Sequence, residues 1–158
     1  MIDINNESGQ VVDEKSLVEL AKFALETLHI HPEAELSIVL VDEDTMSAYH
    51  MKYMDLPGPT DVLSFPMDEL RPGSPDGEQP LGVLGDIVLC PQVTDRQAAE
   101  TGRTPSQEAN YLLVHGLLHL LGFDHAEPSE KAVMFGLNDQ IIEAWEKRVR
   151  KHGRHKDA

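Results

Sequence analysis

His115, His119 and His125 are the residues of this chain whose type and spacing best suit chemistry. Four residues apart, His115 and His119 fall one turn apart on the same face of an α-helix. Gly122 stands where a helix commonly ends in a left-handed turn, which lets the chain fold back and present His125. Three imidazoles converging in this way can hold a tetrahedral metal ion with one position open. An open position marks catalytic zinc, whereas structural zinc is usually closed by four protein ligands. Zinc suits such a donor set first, although nickel or copper could load the purified protein. Its chemistry there would be that of a Lewis acid, lowering the pKa of water towards roughly 7 and polarising a phosphoryl or carbonyl oxygen.

A helix must position the first two histidines, and the sequence supplies its start. Thr104-Pro-Ser-Gln107 has the spacing of a capping box with proline at the first helical position. The helix expected over 105–121 is apolar on nearly every side after Ala109, which places it in the middle of a domain. Around it, Ile2-Asp3-Ile4 reads as an edge strand, 14–29 as an amphipathic helix capped by Asp13, and Glu35–Val41 as a strand. Asp42 or Asp44 caps a short helix carrying Met46, Tyr49 and Tyr53. Asp61–Phe65 and Leu81–Cys90 read as strands across a Pro/Gly-rich loop, 67–80, which permits a wide hairpin. Gly82 and Gly85 suggest a bulge or a close backbone approach. Pro91 opens a helix to about Glu100, and a last helix over about 129–150 carries Val133, Leu137, Ile141 and Trp145 on one face. The expectation is a single α+β domain with a small mixed sheet packed against helices around a zinc-binding central helix. Its bounds are 1–148, with 149–158 a flexible basic tail.

The histidine spacing is also that of the metzincin proteases, but Gly116 stands where those enzymes carry their glutamate general base. Glycine there disfavours peptidase chemistry and leaves room beside the metal for a bulky substrate or another chain segment. Among other polar residues, Asp61 and Ser64 can face the site from a strand, and Asp61 can equally cap a turn. Asp124 either orients a histidine or turns the loop. Asp86, inside an apolar strand, needs a partner if buried. Cys90 and Met134 read as core residues.

Composition bounds the rest. At 158 residues, with 41% hydrophobic and 26% charged residues, the chain is long enough for one buried core. No basic, apolar leader opens it, no run is long enough to span a bilayer, and one cysteine excludes a disulfide framework. A cytoplasmic protein without membrane contact is the expectation. The net charge of −15 is unevenly spread. Residues 147–158 hold six of the 13 Lys/Arg and one of the 28 Asp/Glu, so the remainder holds seven cations against 27 acids. Such a body repels a polyanion at long range, and any nucleic-acid contact needs a local basic surface. The tail is the candidate, its plainer reading being a helix end whose cations suit the dipole.

The run His115-Gly-Leu-Leu-His-Leu-Leu-Gly-Phe-Asp-His125 resembles the signature of the YbeY family of endoribonucleases. Pro59-Thr-Asp-Val-Leu-Ser-Phe-Pro66 and Leu84-Gly-Asp-Ile-Val-Leu-Cys90 match the family in order, so the resemblance covers the chain to about residue 148. It implies one α+β domain, one zinc ion held by His115, His119 and His125, and cleavage of single-stranded RNA. The implied setting is late ribosomal RNA maturation, including the 3′ end of 16S rRNA, and ribosome quality control. Its partners would be an rRNA precursor and a ribosomal subunit or ribosome-associated proteins. One departure stands out. Family members carry a Tyr/Trp-Arg pair before the Pro-Thr-Asp, and this chain reads His50-Met-Lys-Tyr-Met-Asp-Leu-Pro-Gly, without arginine. Lys52 and Asp61 are therefore the candidate catalytic residues, although an ammonium cannot make the bidentate contact of a guanidinium. The alternatives are a metalloprotease-like peptidase, or a non-catalytic ribosome-assembly factor with a structural metal.

Overall fold

The computed structural model describes the backbone of residues 1–157 and the side chains of residues 1–152. The outer part of the basic tail, Arg154 and Lys156 included, lies outside the described side chains. Four strands, β1 (Ile2–Asn6), β2 (Glu35–Leu40), β3 (Val62–Pro66) and β4 (Val83–Leu89), form one mixed sheet in the order β1-β2-β4-β3. β1, β2 and β4 run parallel, and β3 pairs antiparallel with β4 at the edge. The wide hairpin expected across residues 67–80 is therefore formed. Parallel neighbours need crossovers, which helices α1 (Glu14–Thr27) and α2 (Glu43–Met54) supply. Both begin as the sequence predicts: the Asp13 carboxylate accepts from the Ser16 amide and that of Asp42 from the Thr45 amide.

Helices α3 (Pro91–Thr101), α4 (Pro105–Leu120) and α5 (Pro128–Asp157) follow. The capping box is complete, with Thr104 and Gln107 each accepting from the other's amide at 3.1 and 2.9 Å. α4 is the hub of the larger core, where Leu113, Val114, Leu117 and Leu118 are fully buried among α1, α5 and one face of the sheet. A smaller cluster of Val41, Met46, Val88, Cys90 and Val93 closes the other face. Cys90 and Met134 are core residues, as expected.

Two expectations shift. The buried stripe of α5 is Met134, Asn138, Ile141 and Trp145, while Val133 is 60% exposed. Steps of four drift by about 40° each on a 3.6-residue helix, so a strict i+4 series from Trp145 leaves the core. α5 also continues past residue 150, and residues 149–152, assigned to the tail, are exposed positions on it. No breaker intervenes before Gly153, and Lys and Arg are good helix formers.

Gly85 marks the close backbone approach of β4 to the edge strand β3, which lines the site. Its φ of +133° and a would-be Cβ 2.2 Å from the Phe65 carbonyl oxygen admit no side chain, and the β2–β4 register shifts beside it.

Candidate metal centre

α4 ends in the hydrogen-bond pattern that redirects the chain towards His125. The Phe123 amide donates to the Leu118 carbonyl and the Gly122 amide to that of His119, at 3.0 and 3.1 Å. Gly122 takes the left-handed φ of +93° that this motif requires. The next turn is fixed by Asp124, whose carboxylate accepts from the His125 amide at 2.7 Å. Of its two candidate roles, Asp124 thus shapes the turn, and its charge also favours protonated His119.

These elements bring the three histidines together. Their ring centroids lie 4.8 to 5.7 Å apart, and one ring nitrogen from each lies within 4.8 Å of the others. Tetrahedral zinc with ligands at about 2.0–2.1 Å needs nitrogens about 3.3 Å apart, a separation that falls inside the 4.8 Å bounding the group. The donor set, three imidazoles with no fourth protein ligand in the group, fits a divalent metal held with an open position. Phe135 of α5 packs behind His115 and His125, its ring 5.8 and 6.1 Å from theirs.

The surroundings favour neutral imidazole, the ligating form. Burial, then the neighbouring His119 and His125, push His115 from the ordinary 6.5 to about 4, against a smaller opposing pull from Asp61. Burial, followed by His125, also lowers His119. The unfolded chain thus binds a proton at His115 near pH 6.5 that the folded chain binds only near pH 4. Metal-free protein should lose stability as pH falls through that window, and His115→Gln should lose less. Urea titrations of both proteins between about pH 7 and about pH 4 check this. Parallel curves would contradict it.

The histidines open on a cleft of about 650 Å³ between β3 and α4. Asp61, Val62, Ser64 and Pro66 line one wall, Glu108, Tyr111 and Leu112 the other, with Met54 at the margin. The structure brings Asp61 to this cleft and does not bring Lys52. The Asp61 carboxylate accepts from the Val62 amide at 2.7 Å, so it turns the strand and faces the site at once. Lys52 is exposed and lies over the Tyr53 ring, 5.2 Å from its centroid. Asp86 also points elsewhere. It pairs across the strands with Phe65, which packs in the smaller cluster behind the sheet.

Gly116 does not leave an open space. It is buried, and a Cβ there would lie 3.1 to 3.2 Å from Ile87, Ser64 and Val62. Its carbonyl accepts from the Ser64 hydroxyl at 2.9 Å. The segment that takes up the room is the sheet itself, and a side chain at position 116 would press on it.

Several site residues carried no clear sequence signal. Glu108 is only 4% exposed because Arg103 and the Thr101 hydroxyl hold its carboxylate at 3.1 and 3.2 Å. The Arg103 guanidinium also lies over the Tyr111 ring at 4.4 Å. Arg71 reaches in from the 67–80 loop, so close to Gly122 that a Cβ there would fall 2.6 Å from its Cζ. Glu108 and Tyr111 meet their partners only through the turn between α3 and α4, and Arg71 lies in a loop without periodicity. The one available hint was Arg103 standing shortly before Glu108, at the start of the same helix.

The mixed α+β domain thus has a central helix and following turn that gather, beside an open cleft, three histidines that could hold a metal ion. The family model described as "Endoribonuclease YbeY" matches residues 3–146. A Cutibacterium acnes protein named endoribonuclease YbeY is 70% identical over 146 residues, covering 92% of this chain and 94% of the relative. One of the same name from Streptomyces coelicolor is 56% identical over 147 residues, covering 91% and 89%. The solution structure of TM1509 from Thermotoga maritima superposes with a TM-score of 0.66 at 26% identity, over 96% of this chain and 93% of that one. This chain belongs to the YbeY family.

Proposed function

We infer that this chain is an endoribonuclease of ribosomal RNA processing that works with one zinc ion on single-stranded RNA. The observation that carries the metal is the convergence of three imidazole nitrogens within 4.8 Å at the wall of the cleft. Family membership carries the reaction, since the relatives bear the name of an endoribonuclease. Zinc, when bound, supplies Lewis-acid chemistry at a phosphoryl oxygen and makes water a better nucleophile near neutral pH. The protein's own part is binding and orientation. His115 and His119 are fixed by a rigid buried helix and His125 by the Gly122 turn. Asp61 presents a carboxylate close enough to influence His115, a position from which it can accept a proton at the cleft.

The cleft carries two carboxylates, Asp61 and Glu108, and no Lys or Arg among the described residues that line it. A phosphodiester needs positive charge there, which favours an ion at the histidines. Arg71, beside Gly122 and without an ion-pair partner among the described residues, is suited to hold a phosphate of the strand. It offers the guanidinium that the Lys52 region lacks. Beyond the cleft, Lys147, Arg150 and Lys151 are exposed on α5 and offer a basic surface for an rRNA precursor or a ribosomal subunit. No described helix is long and apolar enough to cross a membrane; the cytoplasm is the setting that action on ribosomal RNA calls for.

Chelator treatment should abolish cleavage of a single-stranded RNA, and zinc should restore it. Cleavage that survives complete metal removal would defeat this reading. The α5 surface is tested separately. Replacing Lys147, Arg150 and Lys151 by glutamine should weaken RNA binding and flatten its log–log salt dependence by about 0.7 for each phosphate no longer neutralised. An unchanged slope would leave those cations with only a helix-end role.

A further inference from the structure

A polar side chain sits in the middle of the apolar stripe of α5. Asn138 is 0% exposed, flanked by Met134, Ile141 and Trp145. Burying an amide costs free energy unless both its ends are hydrogen-bonded. Its Nδ2 donates to the Tyr111 carbonyl at 3.5 Å, which fixes the orientation of the amide because Oδ1 would repel that oxygen. Its Oδ1 has no partner. Among the described residues one other buried side-chain polar atom shares that condition, and it is Nδ1 of His115.

The two orphans belong to the same helix contact. Tyr111 is one turn before His115 on α4, so the Asn138 amide lies beside the turn that carries the histidine. Phe135, one turn before Asn138, packs its ring 5.8 Å from the His115 ring. One orphan is an acceptor, and the other becomes a donor in one tautomer of neutral imidazole. A histidine that ligates through Nε2 keeps its proton on Nδ1, and that N–H needs an acceptor. His119 already has one nearby in the Phe123 backbone. His115 lacks one unless Asn138 provides it.

We propose that Asn138 is a positioning residue for the metal centre: the two orphan atoms are not bonded to each other in this structure, and metal binding would bring the Nδ1–H of His115 onto Asn138 Oδ1, which then holds the ring with Nε2 towards the ion. This rests on the metal reading above. Asn138 touches neither metal nor substrate and acts only through His115. The unpartnered amide costs stability while the metal is absent and serves once it is bound.

The opposite signs of those two effects make the test specific. In Asn138→Leu, which keeps the volume and removes the orphan, the metal-free melting temperature should hold or rise. Zinc affinity, measured by competition with a chromogenic chelator, should fall about 10- to 100-fold. Asn138→Asp restores an acceptor and should bring affinity back to within about threefold of wild type or tighter. The visible spectrum of the cobalt-substituted protein should change in the leucine variant and return in the aspartate variant. A leucine variant that binds zinc as wild type does, or an aspartate variant as weak as the leucine one, overturns the proposal. If Asn138→Leu fails to fold, ¹⁵N-histidine spectra of zinc-loaded wild type decide: the Nδ1–H tautomer at His115 supports the pairing and the Nε2–H tautomer overturns it. Wild-type protein that binds no zinc would instead fail the metal reading, and this inference with it.

Discussion

His119→Ala is expected to leave a folded protein that holds no zinc and cleaves no RNA above the level of chelator-treated wild type. His119 forms one corner of the histidine triangle, its ring centroid 4.8 Å from that of His115 and 5.3 Å from that of His125. Without it two imidazoles remain, one of them on an exposed loop. The loss in affinity should exceed by far the roughly 100-fold that removal of an outer hydrogen-bond partner costs. Folding should suffer little. The ring is half-buried, burial and His125 already disfavour its charge, and its own charge would disfavour that of His115, so the metal-free protein gives up little favourable interaction. Zinc content, melting temperature and cleavage of a fluorescent single-stranded RNA check the three parts together. A variant that keeps its zinc, or cleaves at the wild-type rate without it, would remove His119 from the site.

The second large effect concerns Gly116, and it falls on folding. Gly116→Glu restores the residue that a metzincin carries there, yet it should yield an unfolded or insoluble chain and no peptidase. Its Cβ would press on Ile87, Ser64 and Val62 at 3.1 to 3.2 Å, and its carboxylate would be buried without a cation. The steric effect costs about 1–3 kcal/mol and the buried carboxylate about 2–7 kcal/mol, so together they reach the roughly 4–5 kcal/mol at which single substitutions become exceptional. Gly116→Ala isolates the steric part. Overpacking of about 1–3 kcal/mol opposes a gain of about 1 kcal/mol in helix propensity, for a net loss of about 1 kcal/mol. For a chain of this size that lowers the melting temperature by roughly 2–4 °C. Urea denaturation of both variants measures these losses. A stable, soluble Gly116→Glu protein that digests casein would contradict the packing account.

Gly116 also shows where the sequence was readable and where it was not. The run from His115 to His125 announced its ligands because helical spacing and the Gly122 stop are local signals, complete within eleven residues. The Thr104 cap and the Asp13 and Asp42 caps were local in the same sense, whereas the 67–80 loop only permitted the hairpin that β3 and β4 form. Glycine at position 116 was legible as a missing base. That the sheet fills the space was not, because Ser64 and Ile87 are distant in sequence. Lys52 and Asp61 were singled out by nearness to a motif, and only the three-dimensional course of β3 and α2 separates them. Asn138 was masked in another way: an asparagine followed by Asp139 and Gln140 reads as solvent-facing until the phase of α5 is known. Placing Val133 on the core face sets that phase wrong by one residue. Glu108 is similarly hidden, since its burial depends on Arg103 and Thr101 meeting it at the join between α3 and α4.

The central claim is that the three histidines hold a zinc ion on which RNA cleavage depends. Its most direct test is the metal content of purified protein by mass spectrometry, paired with cleavage of one single-stranded RNA by the same samples before chelation, after it, and after zinc is returned. The account predicts close to one zinc per chain at the start, loss of metal and cleavage together, and recovery of both. Full cleavage by a sample containing no metal would contradict it.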